Sequence, residues 1–257
     1  GKSWLASLVA TATLLKCPGS VVMIIAPSRA QAADNIFARV IDQLDELLPR
    51  YGMDWVIRDL YGMRARLTNG SFLLAGSDHF DIDRFRGWPV DLAILDEATW
   101  INPETWSEVI RPALAERNGR AFLVSTPFAN HWFTTIYDQV RARMVREGTL
   151  QGLAGAELDK WVDENLDWAF FRFPSWENTK VFPGGINDPK IVQARRDALD
   201  PYVFLQEYAA IAVPPRERVY PEFRLDVHVR PCPFDPKKKV YLAVDPAPHN
   251  IYACVAI

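Results

Sequence analysis

Apolar residues in this chain fall into two patterns: short unbroken runs, and longer stretches in which they recur every three or four positions. Residues 4–15, apolar and alanine-rich, predict a helix. After the Cys17-Pro18-Gly19 turn, residues 20–26 (Ser-Val-Val-Met-Ile-Ile-Ala) predict a strand buried on both faces, the mark of a parallel sheet. Helical spacing returns over 31–48, with Ser28 placed to cap it. Alternation over 55–74 predicts a hairpin in which Asn69-Gly70 is the turn. A second apolar run, Val90 to Leu95, ends in Asp96-Glu97 and predicts another buried strand, although periodicity alone does not separate such a run from a buried helix.

Further along, Asn102 as N-cap, Pro103 at the first helical position and Glu104 in the first turn predict a helix to about Arg111-Pro112. Asn118-Gly119 is a turn, and 120–124 a strand that ends in Ser125-Thr126-Pro127. A helix is expected near 134–146, a loose Gly/Ala-containing excursion over 151–161, and a strand over 168–174. Asp188-Pro189 and Asp200-Pro201 open helices through 199 and 210. Residues 214–239 have the proline and charge of a linker, and 240–246 is a strand ending at Asp245, followed by a second strand over 250–257. No internal repeat or low-complexity tract interrupts the chain. Strands alternating with helices predict an α/β fold with a mostly parallel sheet, helices on both faces and ligands at the carboxyl ends of the strands.

Composition narrows this picture only modestly. The 257 residues suffice for one large domain or one and a half, and 49% hydrophobic with 24% charged residues is ordinary for a globular protein. A net charge of −3 gives no global attraction to nucleic acid, so any DNA contact must be a local basic face. Three cysteines, Cys17, Cys232 and Cys254, make an odd number without metal-ligand spacing, which fits a reducing compartment. No apolar run reaches the ~18 residues of a membrane span. The chain begins without Met inside a motif and reads as a fragment cut at both ends.

That motif is Gly1-Lys2-Ser3, the end of a phosphate-binding loop of the form G-x-x-x-x-G-K-[ST]. Glycine lets backbone N–H groups approach phosphate, lysine reaches the β- and γ-phosphates, and the serine hydroxyl ligates Mg²⁺. Each signal is weak alone, but Gly1-Lys2-Ser3 followed at this distance by a strand ending in Asp96-Glu97 is a strong pair. In that pairing Asp96 holds Mg²⁺ through water and Glu97 polarises the attacking water. Ser125 and Thr126, on the next strand end, suit a γ-phosphate contact that relays hydrolysis, or form a simple turn. Arg86 suits an arginine supplied to a neighbouring subunit's nucleotide, or a loop arginine pairing with Asp81 or Asp83. Arg58, Arg64 and Arg66 are either a basic edge for phosphates or solvated strand residues. Pro27-Ser28 is either a motor-type loop or an ordinary strand-to-helix turn. A strand ending in a lone Asp245 matches the opening of metal-dependent nucleases, but one carboxylate cannot hold a metal pair.

Taken together, Gly1-Lys2-Ser3, Ala26-Pro27-Ser28, Arg86-Gly87, Leu95-Asp96-Glu97-Ala98, Ser125-Thr126-Pro127, Phe204-Leu205-Gln206-Glu207-Tyr208 and Val219-Tyr220-Pro221-Glu222-Phe223 resemble, in this order, the large terminase subunit of tailed bacteriophages. The resemblance covers essentially the whole chain. It implies a P-loop ATPase core of the ASCE type over 1–150, a small helical lid over 151–213, a linker over 214–239 and the first strands of a ribonuclease-H-like nuclease over 240–257. It also implies ATP and Mg²⁺ as ligands, and Mg²⁺ or Mn²⁺ at the nuclease site. Its partners would be double-stranded DNA, a portal protein, a small terminase subunit and further copies in a ring on the procapsid, all in the host cell cytoplasm. The roles it implies are nucleotide contacts for Gly1, Lys2 and Ser3, metal contacts for Ser3, Asp96 and Asp245, and catalysis or coupling for Glu97, Arg86, Ser125 and Thr126. A helicase-like P-loop motor is the alternative. The chain lacks the first half of the phosphate loop and all later nuclease carboxylates.

Overall fold

A computed structural model describes residues 1–129, 131–198 and 200–213, together with the backbone of Leu242–Asp245 and Ala253–Ala256. The chain divides into two compact units, Gly1–Pro215 and Arg216–Ile257.

The first unit is built on a six-stranded sheet. Its strands are β1 (Val21–Ala26), β2 (Trp55–Asp59), β3 (Arg64–Leu67), β4 (Phe72–Ser77), β5 (Leu92–Asp96) and β6 (Arg120–Val124), in the order β2-β3-β4-β1-β5-β6. From β4 through β6 all pairings are parallel, and the antiparallel β2–β3–β4 meander closes one side. Every residue of β1 is buried, because helices cover both faces. Val22, Ile24 and Ala26 face one apolar cluster with Leu92 and Ile94 of β5, whereas Val21, Met23 and Ile25 face the other with Ala93 and Leu95. Each of the larger side chains, Val, Leu, Ile and Met, stabilises the fold by roughly 1.5–3 kcal/mol.

The first face is covered by α1 (Lys2–Lys16) and by a long helix made of α2 (Arg29–Gln31), a π-helical turn (Ala32–Phe37) and α3 (Ala38–Leu47). Ser28 caps this helix in a reciprocal capping box with Gln31, as the sequence suggested. A polar pin ties α1 to α3 beside the apolar packing. The Gln43 amide donates to Ser7 Oγ (3.0 Å), and the Thr11 hydroxyl donates to Gln43 Oε1 (2.6 Å). On the other face lie α4 (Ile82–Phe85) and a helix beginning near Pro103, with a π turn (Thr105–Ile110) leading into α5 (Arg111–Ala115). This helix runs past the expected stop at Pro112. The Arg111 N–H bonds five residues back to Trp106, and this wide turn sits where the proline ring would crowd an ordinary one.

The remaining helices are α6 (Trp132–Leu150), α7 (Gly155–Asn165), α8 (Pro189–Asp197) and α9 (Pro201–Glu207), with Asp188 and Asp200 as N-caps of the last two. Two expectations fail here. The loose excursion over 151–161 is largely the helix α7: Leu158 and Trp161 pack on Gly148 of α6 at a spot where a Cβ would come within 2.4 Å of Leu158. Residues 168–174 form no strand among the described residues. Phe170, Phe171 and Phe173 are exposed, and Phe171 stacks on Phe173 instead of entering a sheet. In the second unit, β7 (Leu242–Asp245) pairs antiparallel with β8 (Ala253–Ala256), in agreement with the two predicted strands. The linker over 214–239 and the side chain of Asp245, with its expected metal role, lie outside the described residues.

Candidate functional site

The carboxyl edge of the sheet gathers residues from three distant parts of the chain. Parallel register sets the first pair: Asp96 lies opposite Val124, so Glu97 and Ser125 leave neighbouring strands side by side. The Ser125 hydroxyl donates to Glu97 Oε2 at 3.4 Å. Helix α1 begins at the same edge, with no side chain capping it and no acid in its first turn, so its amide dipole favours an anion there. From this turn the Lys2 ammonium donates to Thr126 Oγ1 (3.2 Å) and lies 3.9 Å from Glu97 Oε1. The Ser3 hydroxyl donates to Asp96 Oδ1 at 3.5 Å.

Glu97 has left-handed backbone angles (φ 48°, ψ 49°), which for a residue with a Cβ cost about 1–3 kcal/mol. Its surroundings hold it there. The Trp100 N–H donates to the Glu97 carbonyl (2.8 Å), the Thr99 N–H to Ser125 Oγ (3.1 Å), and the Thr99 hydroxyl to the Thr126 carbonyl (2.9 Å). The loops after β5 and β6 are thereby stapled together, and the strained turn directs the carboxylate toward Lys2.

Asp96 is almost wholly buried. Burial pushes its carboxyl above the usual range and the adjacent Glu97 charge adds to this, while the Asn35 amide, the Glu97 N–H and Lys2 partly offset both. A buried carboxylate with weak partners, beside a hydroxyl and an ammonium at a helix N-terminus, is a functional-site signature.

Lys2, Ser3, Asp96, Glu97, Ser125 and Thr126 therefore meet, as the sequence suggested, next to Gly1, the N-cap of α1. Arg86 does not join them. It pairs with Asp83 (3.5 Å) and Glu108 (4.0 Å), all three side chains being largely exposed. The basic edge is not seen either: Arg58 pairs with Asp45, Arg64 with Asp59, and Arg66 lies over the Phe72 ring. Two participants had no sequence signal, Thr99 and Asn35, the latter donating to Asp96 Oδ2 at 3.3 Å.

The oxygen donors fit magnesium. A serine hydroxyl and a carboxylate within hydrogen-bond distance are the hard ligands Mg²⁺ selects, and it commonly takes only one or two carboxylates beside phosphate and water. Among the described residues no cluster of three or more His, Cys, Asp or Glu side chains offers an all-protein metal cage, and none of their helices is long and apolar enough to cross a membrane.

Known proteins resemble the chain over most of its length. Residues 1–177 match the family described as terminase large subunit, T4-like-virus type, N-terminal. The large terminase subunit of Thermus phage G20c is 29% identical over 225 residues, 82% of this chain and 43% of that protein. That of Escherichia phage T5 is 30% identical over 199 residues, 73% of this chain and 43% of its own length. The chain thus spans less than half of these relatives. Among solved structures, the large terminase ATPase domain of Thermus phage P74-26 superposes with a TM-score of 0.61 at 28% identity, over 83% of this chain and 84% of that one.

Proposed function

The chain belongs to the terminase large subunit family, and from that membership we propose that it is the ATP-hydrolysing part of a motor that drives double-stranded DNA into a viral procapsid. The observation that carries the reading is the convergence of Lys2, Ser3, Asp96 and Glu97 at one sheet edge, within 3.9 Å of one another in chain-distant pairs.

In this reading Lys2 turns its half-exposed ammonium from Glu97 to the β- and γ-phosphates. Ser3 and Asp96 would hold magnesium, which when bound neutralises charge on those phosphates. Glu97 orients the attacking water and takes its proton. Ser125 and Thr126, stapled to the Glu97 loop through Thr99, contact the γ-phosphate and carry its loss to the β6 side of the domain. Arg86 serves the nucleotide of a neighbouring copy in a ring. Its two exposed partners hold it weakly, since such pairs contribute about 0–1 kcal/mol.

The wider assignment follows the family. Residues 1–150 act as the ATPase core, 151–213 as a helical lid, 214–239 as a linker and 240–257 as the opening of a nuclease in which Asp245 ligates Mg²⁺ or Mn²⁺. The partners are the portal protein and the small terminase subunit, in the host cell cytoplasm. The test is Glu97→Gln in the intact protein. DNA-stimulated phosphate release should fall at least ~10²-fold with ATP still bound, and near-parental turnover would overturn the reading.

A further inference from the structure

We propose that Asn35 is a positioning residue for Asp96: its amide fixes the carboxylate in the orientation that magnesium–nucleotide binding requires. This rests on the ATPase reading above.

The carboxylate meets one donor at each oxygen, the Ser3 hydroxyl at Oδ1 (3.5 Å) and the Asn35 amide nitrogen at Oδ2 (3.3 Å). An ionised carboxylate only accepts, so the amide must present its nitrogen. The two donors come from two helices whose relative position is set. The Ser7–Gln43–Thr11 pin locks α1 to α3 one turn beyond Ser3 and two turns beyond Asn35. At the other end, the capping box and the pairing of Arg29 with Asp81 (2.9 Å) anchor the helix start.

Asn35 also lies in the π turn, where the Ala38 N–H reaches back five residues to Ala33. Such a turn inserts one residue into the helical phase and is frequent at functional sites; unlike the π turn at Thr105–Ile110, this one has no following proline to require it. Ile36, Phe37, Val40, Ile41 and Leu44 keep the apolar face on the sheet while the wide turn presents Asn35 to Asp96. Among the described residues Asn35 makes no other side-chain hydrogen bond. This argues for a role in orienting the acid and not in holding the helix.

The experiment is calorimetric titration of the intact protein with ADP, in magnesium chloride and in EDTA, with melting temperatures measured without nucleotide. Outer-shell residues of this kind are typically worth 10–100-fold in metal affinity. Asn35→Ala and Asn35→Leu should therefore weaken ADP binding in magnesium at least ~10-fold, leave binding in EDTA unchanged and hardly alter the melting temperature. Asn35→Gln, which keeps the donor, should recover part of the loss. Unchanged affinity in magnesium would overturn the proposal, as would an equal loss in EDTA, or a loss that Asn35→Leu repairs by packing alone. Asp96→Asn separates the two levels. If it too leaves the magnesium dependence intact, the ATPase reading fails; if it abolishes that dependence while the Asn35 variants do not, only the role of Asn35 falls.

Discussion

Acidic residues follow two neighbouring parts of one sheet edge, and the fold treats them oppositely. After β4, Asp81 is buried and saturated with donors: the Ser77 N–H (2.9 Å) and hydroxyl (3.1 Å), Arg29 (2.9 Å) and Arg84 (3.4 Å). Burial pushes its carboxyl up, but these donors and charges outweigh it and hold the group below its ordinary value. Gly76 makes the arrangement possible, because a Cβ there would lie 2.7 Å from Asp81 Cβ. Nearby Asp78 is also held, by the Asn102 N–H and the Thr105 hydroxyl. At the end of β5, Asp96 is just as buried yet has only long contacts and a carboxyl pushed up. Both sites place an acid at a strand end. The closeness and charge of the donors separate an acid that holds the fold from one kept for a ligand.

The same criterion sorts the arginines and gives the largest expected effect. Arg29 and Arg84 are committed to buried Asp81, whereas Arg86 has only exposed partners. Arg86→Ala in the assembled protein should lower ATP turnover by ~10³-fold or more. Mixing it with Lys2→Ala chains should restore some activity, since each supplies what the other lacks; failure to complement in intact mixed rings would leave Arg86 a surface arginine paired with Asp83.

A smaller effect is expected at Asp81. Asp81→Ala strands a buried N–H and hydroxyl and should destabilise the fold by about 2 kcal/mol in chemical denaturation. Because the folded-state value lies below that of the unfolded chain, the stabilisation is fully present above pH 3.8 and is lost as pH falls through the lowered value. The gap between parent and Asp81→Asn should accordingly close only below pH 3.8.

The smallest effect has the opposite sign. Asp96→Asn relieves a buried charge and its repulsion by Glu97, so without nucleotide it should raise stability by about 1 kcal/mol while abolishing magnesium-dependent binding. The folded-state value is raised here, so the gain belongs to neutral pH and fades as pH falls through that value toward 3.8. Destabilisation by Asp96→Asn would erase the distinction between the two acids.

How much of this was legible in the sequence depends on the range of the interaction concerned. The unbroken runs of β1 and β5, the turn at Asn69-Gly70 and the caps at Ser28, Asp188 and Asp200 are local signals, and the structure follows them. The meeting of Lys2, Ser3, Asp96, Glu97, Ser125 and Thr126 was legible because each motif ends or begins an element at one edge of an α/β sheet, whereas Arg86 lies elsewhere. Asn35 was not: its partner is 61 positions away and its aim depends on a π turn that no propensity marks. The helix α7 was hidden because it rests on contacts with Gly148 more than on its own pattern. Residues 168–174 misled in the other direction, since aromatic β-formers without a neighbouring strand make no ladder.

One contact at the edge of the core has a consequence for the remainder of the first unit. Phe128 bridges Val213 in parallel, and the Ala129 N–H bonds the Val213 carbonyl at 3.2 Å, beside the ring of Trp100. The chain thus departs and returns at a single clasp, with Trp132 fastened to Ile101 next to it. A segment whose two ends coincide can be lengthened, trimmed or exchanged at little entropic penalty to the scaffold. Loops within this segment can therefore change length at small cost, whereas Trp132, Phe133, Ile136 and Trp168, which pack against the core, tie it to the sheet.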